Sequence, residues 1–173
     1  MLRRMLALTL ISASNVACAG SHADDGGTPP GVFVAFSSDF KDFRTWQSFD
    51  VTMDADAGAL HPEAMLMEYL NRAPPSGSTE FPIGTIIVKQ INGDLTKNDQ
   101  YFAMVKRGAP QQPNGWEWFG LYNADDAGTP DIAWRGGPPS TAEYGGDPTS
   151  CNRCHITCDN DYVCAPPLKL SSF

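Results

Sequence analysis

Gly84-Thr85-Ile86-Ile87-Val88-Lys89-Gln90-Ile91 is the stretch whose reading decides the fold. Its β-branched residues are stiff at χ1 and suit a pleated surface, and turn signals bound the run on both sides. It reads as a strand. Working outward, Tyr101-Phe102-Ala103-Met104-Val105-Lys106-Arg107 pairs with it across the loop that starts at Asn92-Gly93-Asp94. Gly115-Trp116-Glu117-Trp118-Phe119-Gly120-Leu121-Tyr122 is a third strand, rich in aromatics.

The flanks are less regular. Ala64-Met65-Leu66-Met67-Glu68-Tyr69-Leu70 is apolar, and periodicity alone leaves it helix or strand. Val51-Thr52-Met53 resembles a strand start before a turn at residues 54–58. Phe40, Phe43 and Trp46 recur at a spacing of three, which predicts a short helix over residues 39–46 packing on a sheet. Pro74-Pro75-Ser76-Gly77-Ser78 is a loop, and residues 123–148 read as loop with at most one short strand. Sixteen Gly and 14 Pro weigh against long helices, and no internal repeat is present. The expected class is mainly β (α+β): an antiparallel sheet with a few short helices and a cysteine-bearing C-terminal segment.

At 173 residues, with 42% hydrophobic and 18% charged, the chain suits one domain with a buried core. A net charge of −8 and the lack of any basic cluster exclude nucleic acid as a partner. Residues 1–18 read as an export signal: Arg3 and Arg4 precede a short apolar run, Met5-Leu6-Ala7-Leu8-Thr9-Leu10-Ile11. Ala17-Cys18-Ala19 fits an ordinary signal peptidase, while cleavage before Cys18 would leave a cysteine for lipid attachment. Asn15 departs from the usual lipobox leucine, but the polar, Gly-rich residues 19–30 look like the tether that follows a lipidated cysteine. The expectation is an exported protein, periplasmic or lipid-anchored to a bacterial outer membrane, that meets the membrane only through that anchor. The domain proper is then 31–173.

Near the end stands Cys151-Asn152-Arg153-Cys154-His155, the C-x-x-C-H signature of covalent haem c attachment. Two thiols at this spacing can add to the two vinyl groups of one porphyrin, and the adjacent His155 supplies a proximal imidazole to the iron. With Cys18 assigned to a lipid and Cys151 and Cys154 to thioethers, Cys158 and Cys164 remain as a disulfide pair. Two other readings use the same cysteines: a four-cysteine zinc site, or two disulfides in a haem-free envelope module. The other histidines, His22 and His61, are poorly placed as a second ligand, and Met53, Met65, Met67 and Met104 are the thioethers available. The motif's late position, after a β-rich body, favours an open distal face over electron-carrier ligation. Trp116, Trp118, Phe102 and Phe119 are candidate pocket walls. No residue is singled out as catalytic.

Four elements in order carry a resemblance: Phe43-Arg44-Thr45-Trp46, Phe81-Pro82-Ile83-Gly84-Thr85-Ile86-Ile87-Val88-Lys89, Asn114-Gly115-Trp116-Glu117-Trp118-Phe119, and the haem motif followed by Asp161-Tyr162-Val163. Over residues 43–167 the chain resembles the cytochrome P-460 family, which includes the cytochromes c′-β. The resemblance implies an antiparallel β fold, commonly dimeric, with one five-coordinate haem c. It implies Lys89 at the position that P-460 proteins cross-link to the porphyrin, and oxidation of hydroxylamine or a related small nitrogen species with electrons passed to a redox partner protein. The c′-β branch implies instead a nitric-oxide-binding haem protein without catalysis. Residues 106–113 hold no carboxylate to accept a substrate proton, and Cys164 stands where the family often has an aromatic. Both departures weigh on the oxidase branch, so enzyme activity stays open.

Overall fold

A computed structural model describes residues 31–52, 65–92, 100–108, 115–122, 128–136 and 148–173. The leader, the tether, Cys18, His22, Met53 and His61 lie outside the described residues. Six strands, β1 (Gln47–Asp50), β2 (Met65–Leu70), β3 (Ile86–Asn92), β4 (Gln100–Lys106), β5 (Trp116–Tyr122) and β6 (Asp131–Gly136), form one sheet in chain order. Every neighbouring pair is antiparallel. A meander of this kind needs only local connections, which suits a chain punctuated by Gly and Pro. The helical pieces among the described residues are α1 (Pro148–His155) and four 3-10 turns. The protein is mainly β, as expected.

Most of the stretch 84–91 becomes β3 (Ile86–Asn92), in the interior of the sheet, with Gly84 in the turn before it. Its side chains alternate: Ile86 and Val88 enter one core, Ile87 and Ile91 the other. The first core is covered by an N-terminal strap that supplies Ala35, Phe40 and Phe43. The second is covered by the C-terminal tail through Val163, Ala165, Leu168 and Leu170. A central strand buried on both faces reads as a continuous apolar run, which is why residues 84–91 show no polar alternation.

Two local expectations are corrected. Residues 39–46 form no continuous helix: two 3-10 turns, Ser37–Phe40 and Phe43–Thr45, are broken at Lys41-Asp42. Asp42 takes φ 52°, and its N–H donates to the Gly128 carbonyl, which draws the chain off a helical path. The aromatic spacing still serves packing, with Phe40 edge-on to Phe119 at 5.3 Å and Phe43 edge-on to Tyr69 at 5.2 Å. The strand foreseen at 51–53 lies just earlier, as β1, because the Asp50 carboxylate accepts the Thr52 N–H and turns the chain. The one short strand allowed for within residues 123–148 is β6, which joins β5 through an irregularity at Gly120/Leu121. The ambiguous segment 64–70 resolves as β2, paired with β3 from Met65↔Asn92 to Leu70↔Ile87.

On the strap face, fully buried Glu117 accepts both Nε and Nη2 of Arg135 at 2.9 Å, with Arg107 Nη1 at 3.5 Å. Arg135 also donates to the Ala35 carbonyl at 3.1 Å. One carboxylate thus pins β6 and the strap to β5. On the tail face, Lys106 binds Asp161 at 2.7 and 2.9 Å and joins the end of β4 to the loop after α1.

Candidate functional site

Helix α1 carries the C-x-x-C-H motif. Residues three and four apart share a helix face, so Cys151, Cys154 and His155 are grouped on one side. Cys151 and Cys154 are both thiols: the first half-buried against the tail-face core, the second exposed. The sheet holds the motif through Trp118, whose Nε1–H donates to Asn152 Oδ1 at 3.0 Å. The Trp118 ring also lies 4.6 Å from the His155 imidazole.

Beyond α1 the chain closes on itself. Cys158 and Cys164, the candidate pair, are joined in a disulfide with Cα atoms 5.2 Å apart. Inside that loop Asp161 and Tyr162 adopt left-handed φ values of 50° and 66°. Few non-glycine residues do so, and two in succession turn the Tyr162 carbonyl toward His155 Nδ1, 2.7 Å away. A carbonyl only accepts, so Nδ1 carries the proton and Nε2 presents its lone pair. This is the usual posture of a metal-binding histidine, oriented through its other nitrogen. Burial pushes the His155 imidazole below its ordinary pKa range, the Tyr162 hydrogen bond opposes that, and the Lys89 charge adds to it.

Lys89 therefore shares the tail face with His155. Strand pairing sets it in a row that crosses all six strands: Phe49, Glu68, Lys89, Phe102, Gly120 and Trp134. Lys89 Nζ lies 3.6 Å from Glu68 Oε1. Phe49, Phe102 and Trp134 are half-buried, and Trp134 leans over Gly120 to reach Phe102 at a centroid distance of 6.4 Å. The row is an apolar wall with one lysine–glutamate pair in it.

The donor chemistry fits haem c. Two thiols and an imidazole with a free Nε2 stand on one helix beside a partly open apolar wall. It does not fit four-cysteine zinc, because the disulfide takes Cys158 and Cys164, and no cluster of three metal-binding side chains occurs among the described residues. Met67 packs on the strap face, and the pleat puts Met65 there too, so neither reaches the His155 side. Met104 sits buried opposite Trp118 on the tail face.

Of the foreseen walls, Trp118 and Phe102 share the face of His155. Trp116 is sealed beneath that face against Phe81, 5.8 Å between ring centroids. Phe119 lies on the opposite face and is corrected. Sequence reasoning missed Trp134, set in a Gly- and Pro-rich stretch, and Glu68, whose link to Lys89 exists only through the β2–β3 register. It also missed Asp161, where the Asp161-Tyr162-Val163 string carried no hint of its backbone conformation. Among the described residues no helix is long and apolar enough to cross a membrane. The chain matches no protein-family model, no curated protein and no solved structure.

Proposed function

We propose that this is an exported mono-haem c-type cytochrome of the P-460 type, acting on hydroxylamine or a related small nitrogen species and passing electrons to a redox partner. The observation that carries the reading is the C-x-x-C-H motif on α1, with both thiols outside any disulfide and His155 held through Nδ1. Cys151 and Cys154 would hold the porphyrin by thioether bonds and His155 Nε2 would bind the iron. When bound, the haem supplies a redox-active iron that takes one small ligand. The protein's own part is to fix the imidazole through Tyr162 and to keep water from the wall with Phe49, Phe102 and Trp134. Lys89, paired with Glu68, sets a cation at that wall, and a bond from its Nζ to the porphyrin would mark the oxidase branch.

The apolar character of the wall supports a second reading, a nitric-oxide binder without turnover. Lys106 and Arg107 bind Asp161 and Glu117 and bring no carboxylate to the wall, and the carboxylate within the wall, that of Glu68, is paired with Lys89. Mass spectrometry of the full chain, exported through a haem-maturation system, tests the proposal. A gain of one haem, lost in Cys151→Ser/Cys154→Ser, is expected, and no gain under those conditions overturns it. A haem peptide that includes Lys89, with hydroxylamine-dependent reduction of an added acceptor, favours the oxidase. Nitric-oxide binding without such reduction favours the binder.

A further inference from the structure

The loop after α1 is built against its own backbone preference. Asp161 and Tyr162 both sit at positive φ, where an L side chain crowds the following carbonyl. Such conformations persist where neighbours over-determine them, and here the neighbours can be named. The Asp161 carboxylate takes Lys106 Nζ at 2.7 and 2.9 Å and the Phe81 N–H at 2.8 Å. The Asp161 carbonyl accepts Trp116 Nε1–H at 2.8 Å. Lys106 is itself buried, with Glu80 3.7 Å from its Nζ. Downstream, Asn160 Nδ2 donates to the Val163 and Leu168 carbonyls, and its Oδ1 accepts the Leu170 N–H. The product of this fastening is one carbonyl, that of Tyr162, aimed at His155 Nδ1.

We infer that Asp161, clamped by Lys106, is a positioning residue that sets the strength of the Tyr162–His155 hydrogen bond and through it the donor strength of His155. The inference rests on the haem reading for its consequence at iron, but not for its geometry. A well-aimed acceptor on Nδ1–H makes the imidazole a stronger base at Nε2, and the partner of a ligating histidine tunes the metal. Asp161 touches neither imidazole nor ligand. It acts at one remove, by holding the peptide whose oxygen does the work. The sheet thereby reaches His155 on two sides: Trp118 against the ring, and Lys106 through Asp161 and Tyr162 against Nδ1.

The test uses the full chain with Asp161→Asn and Asp161→Ala. Asparagine tolerates the left-handed region as well as aspartate does, so the first keeps the chain path while removing the charge pair. Both variants should take up haem at the wild-type stoichiometry. In the ferrous protein the iron–histidine stretching frequency should fall and the midpoint potential should move positive, more for Ala than for Asn, because a weaker donor favours the ferric state less. Unchanged frequency and potential in haem-loaded variants would overturn the inference. A second readout needs no haem. In the haem-free chain, ring 15N shifts should show His155 locked as the Nδ1–H tautomer in the wild type and mixed in the variants. Equal tautomer populations in all three chains overturn the inference, even if no haem attaches and the haem reading has failed separately. Should Asp161→Ala not fold, Asp161→Asn and the charge-neutral pair Lys106→Met/Asp161→Asn carry the same comparison.

Discussion

His155 is buried as well as fixed through Nδ1, and the burial has a consequence for acid stability. In the haem-free chain, burial holds its imidazole below the ordinary value of 6.5, so the unfolded chain binds the proton more readily. Stability from this residue is complete above that pH and is lost as pH falls from there toward the folded value. Urea midpoints should drop across that window in the wild type and stay flatter in His155→Phe; equal slopes would remove this account. Gly120 offers a second test. A Cβ there would overlap the indole of Trp134, so Gly120→Ala should displace that ring and cost about 1–3 kcal/mol by overpacking. The loss is read from the denaturant midpoint, and Trp134 fluorescence should report a more solvated indole. Single residues of this kind were the least legible in the sequence. The motif Cys151-Asn152-Arg153-Cys154-His155 stands out letter by letter because its spacing is local. The carbonyl that orients His155 could not, since it depends on two left-handed residues held by Lys106, distant in the chain.

Among the elements, β3, β4 and β5 were readable because β-branched and aromatic runs bounded by turn residues have few other uses. β6 was foreseen only as one short strand without bounds within residues 123–148, since Ile132 and Trp134 are its only large apolar residues and the surroundings are rich in Gly and Pro. Tertiary contacts supply what propensity does not, above all the Arg135–Glu117 pair. Arg135→Met would leave a fully buried carboxylate with only Arg107 nearby and should cost about 3–5 kcal/mol, near the lower end because Arg107 remains. Adding Glu117→Leu should restore much of that loss, because an apolar pair of similar volume replaces a buried charge with packing. Urea unfolding of the single and double variants checks both outcomes. The strap residues 39–46 show the opposite relation, where the aromatic spacing foresaw which rings enter the core but not the backbone that carries them. Two short turns with a left-handed Asp42 bury Phe40 and Phe43 as well as a helix would.

At the scale of the whole molecule, the sheet is a partition. Its strap face is packed for stability, while its tail face carries α1, His155, Lys89 and the apolar row. Substitutions confined to the strap face should therefore move unfolding midpoints without moving any property of the His155 side. The disulfide does both, since it closes the loop that contains Tyr162. In a chain-entropy account a loop this short contributes about 2 kcal/mol, so Cys158→Ser/Cys164→Ser should lower the melting temperature by a comparable loss, and thiol reductant should reproduce it in the wild type alone.

The same bridge constrains how the protein can be made. Cys154 lies closer in sequence to Cys158 than Cys164 does, so under the proposed export a newly made chain would meet the wrong partner first. In the native pairing α1 draws Cys151 and Cys154 to one side and the 158–164 loop brings its two ends together. On the proposed haem reading, an oxidant that acts before those elements form would trap the motif's sulfurs as disulfide, beyond the reach of any vinyl group. On that reading, biogenesis of this chain is a contest of timing, decided by whether the tail folds before it is oxidised.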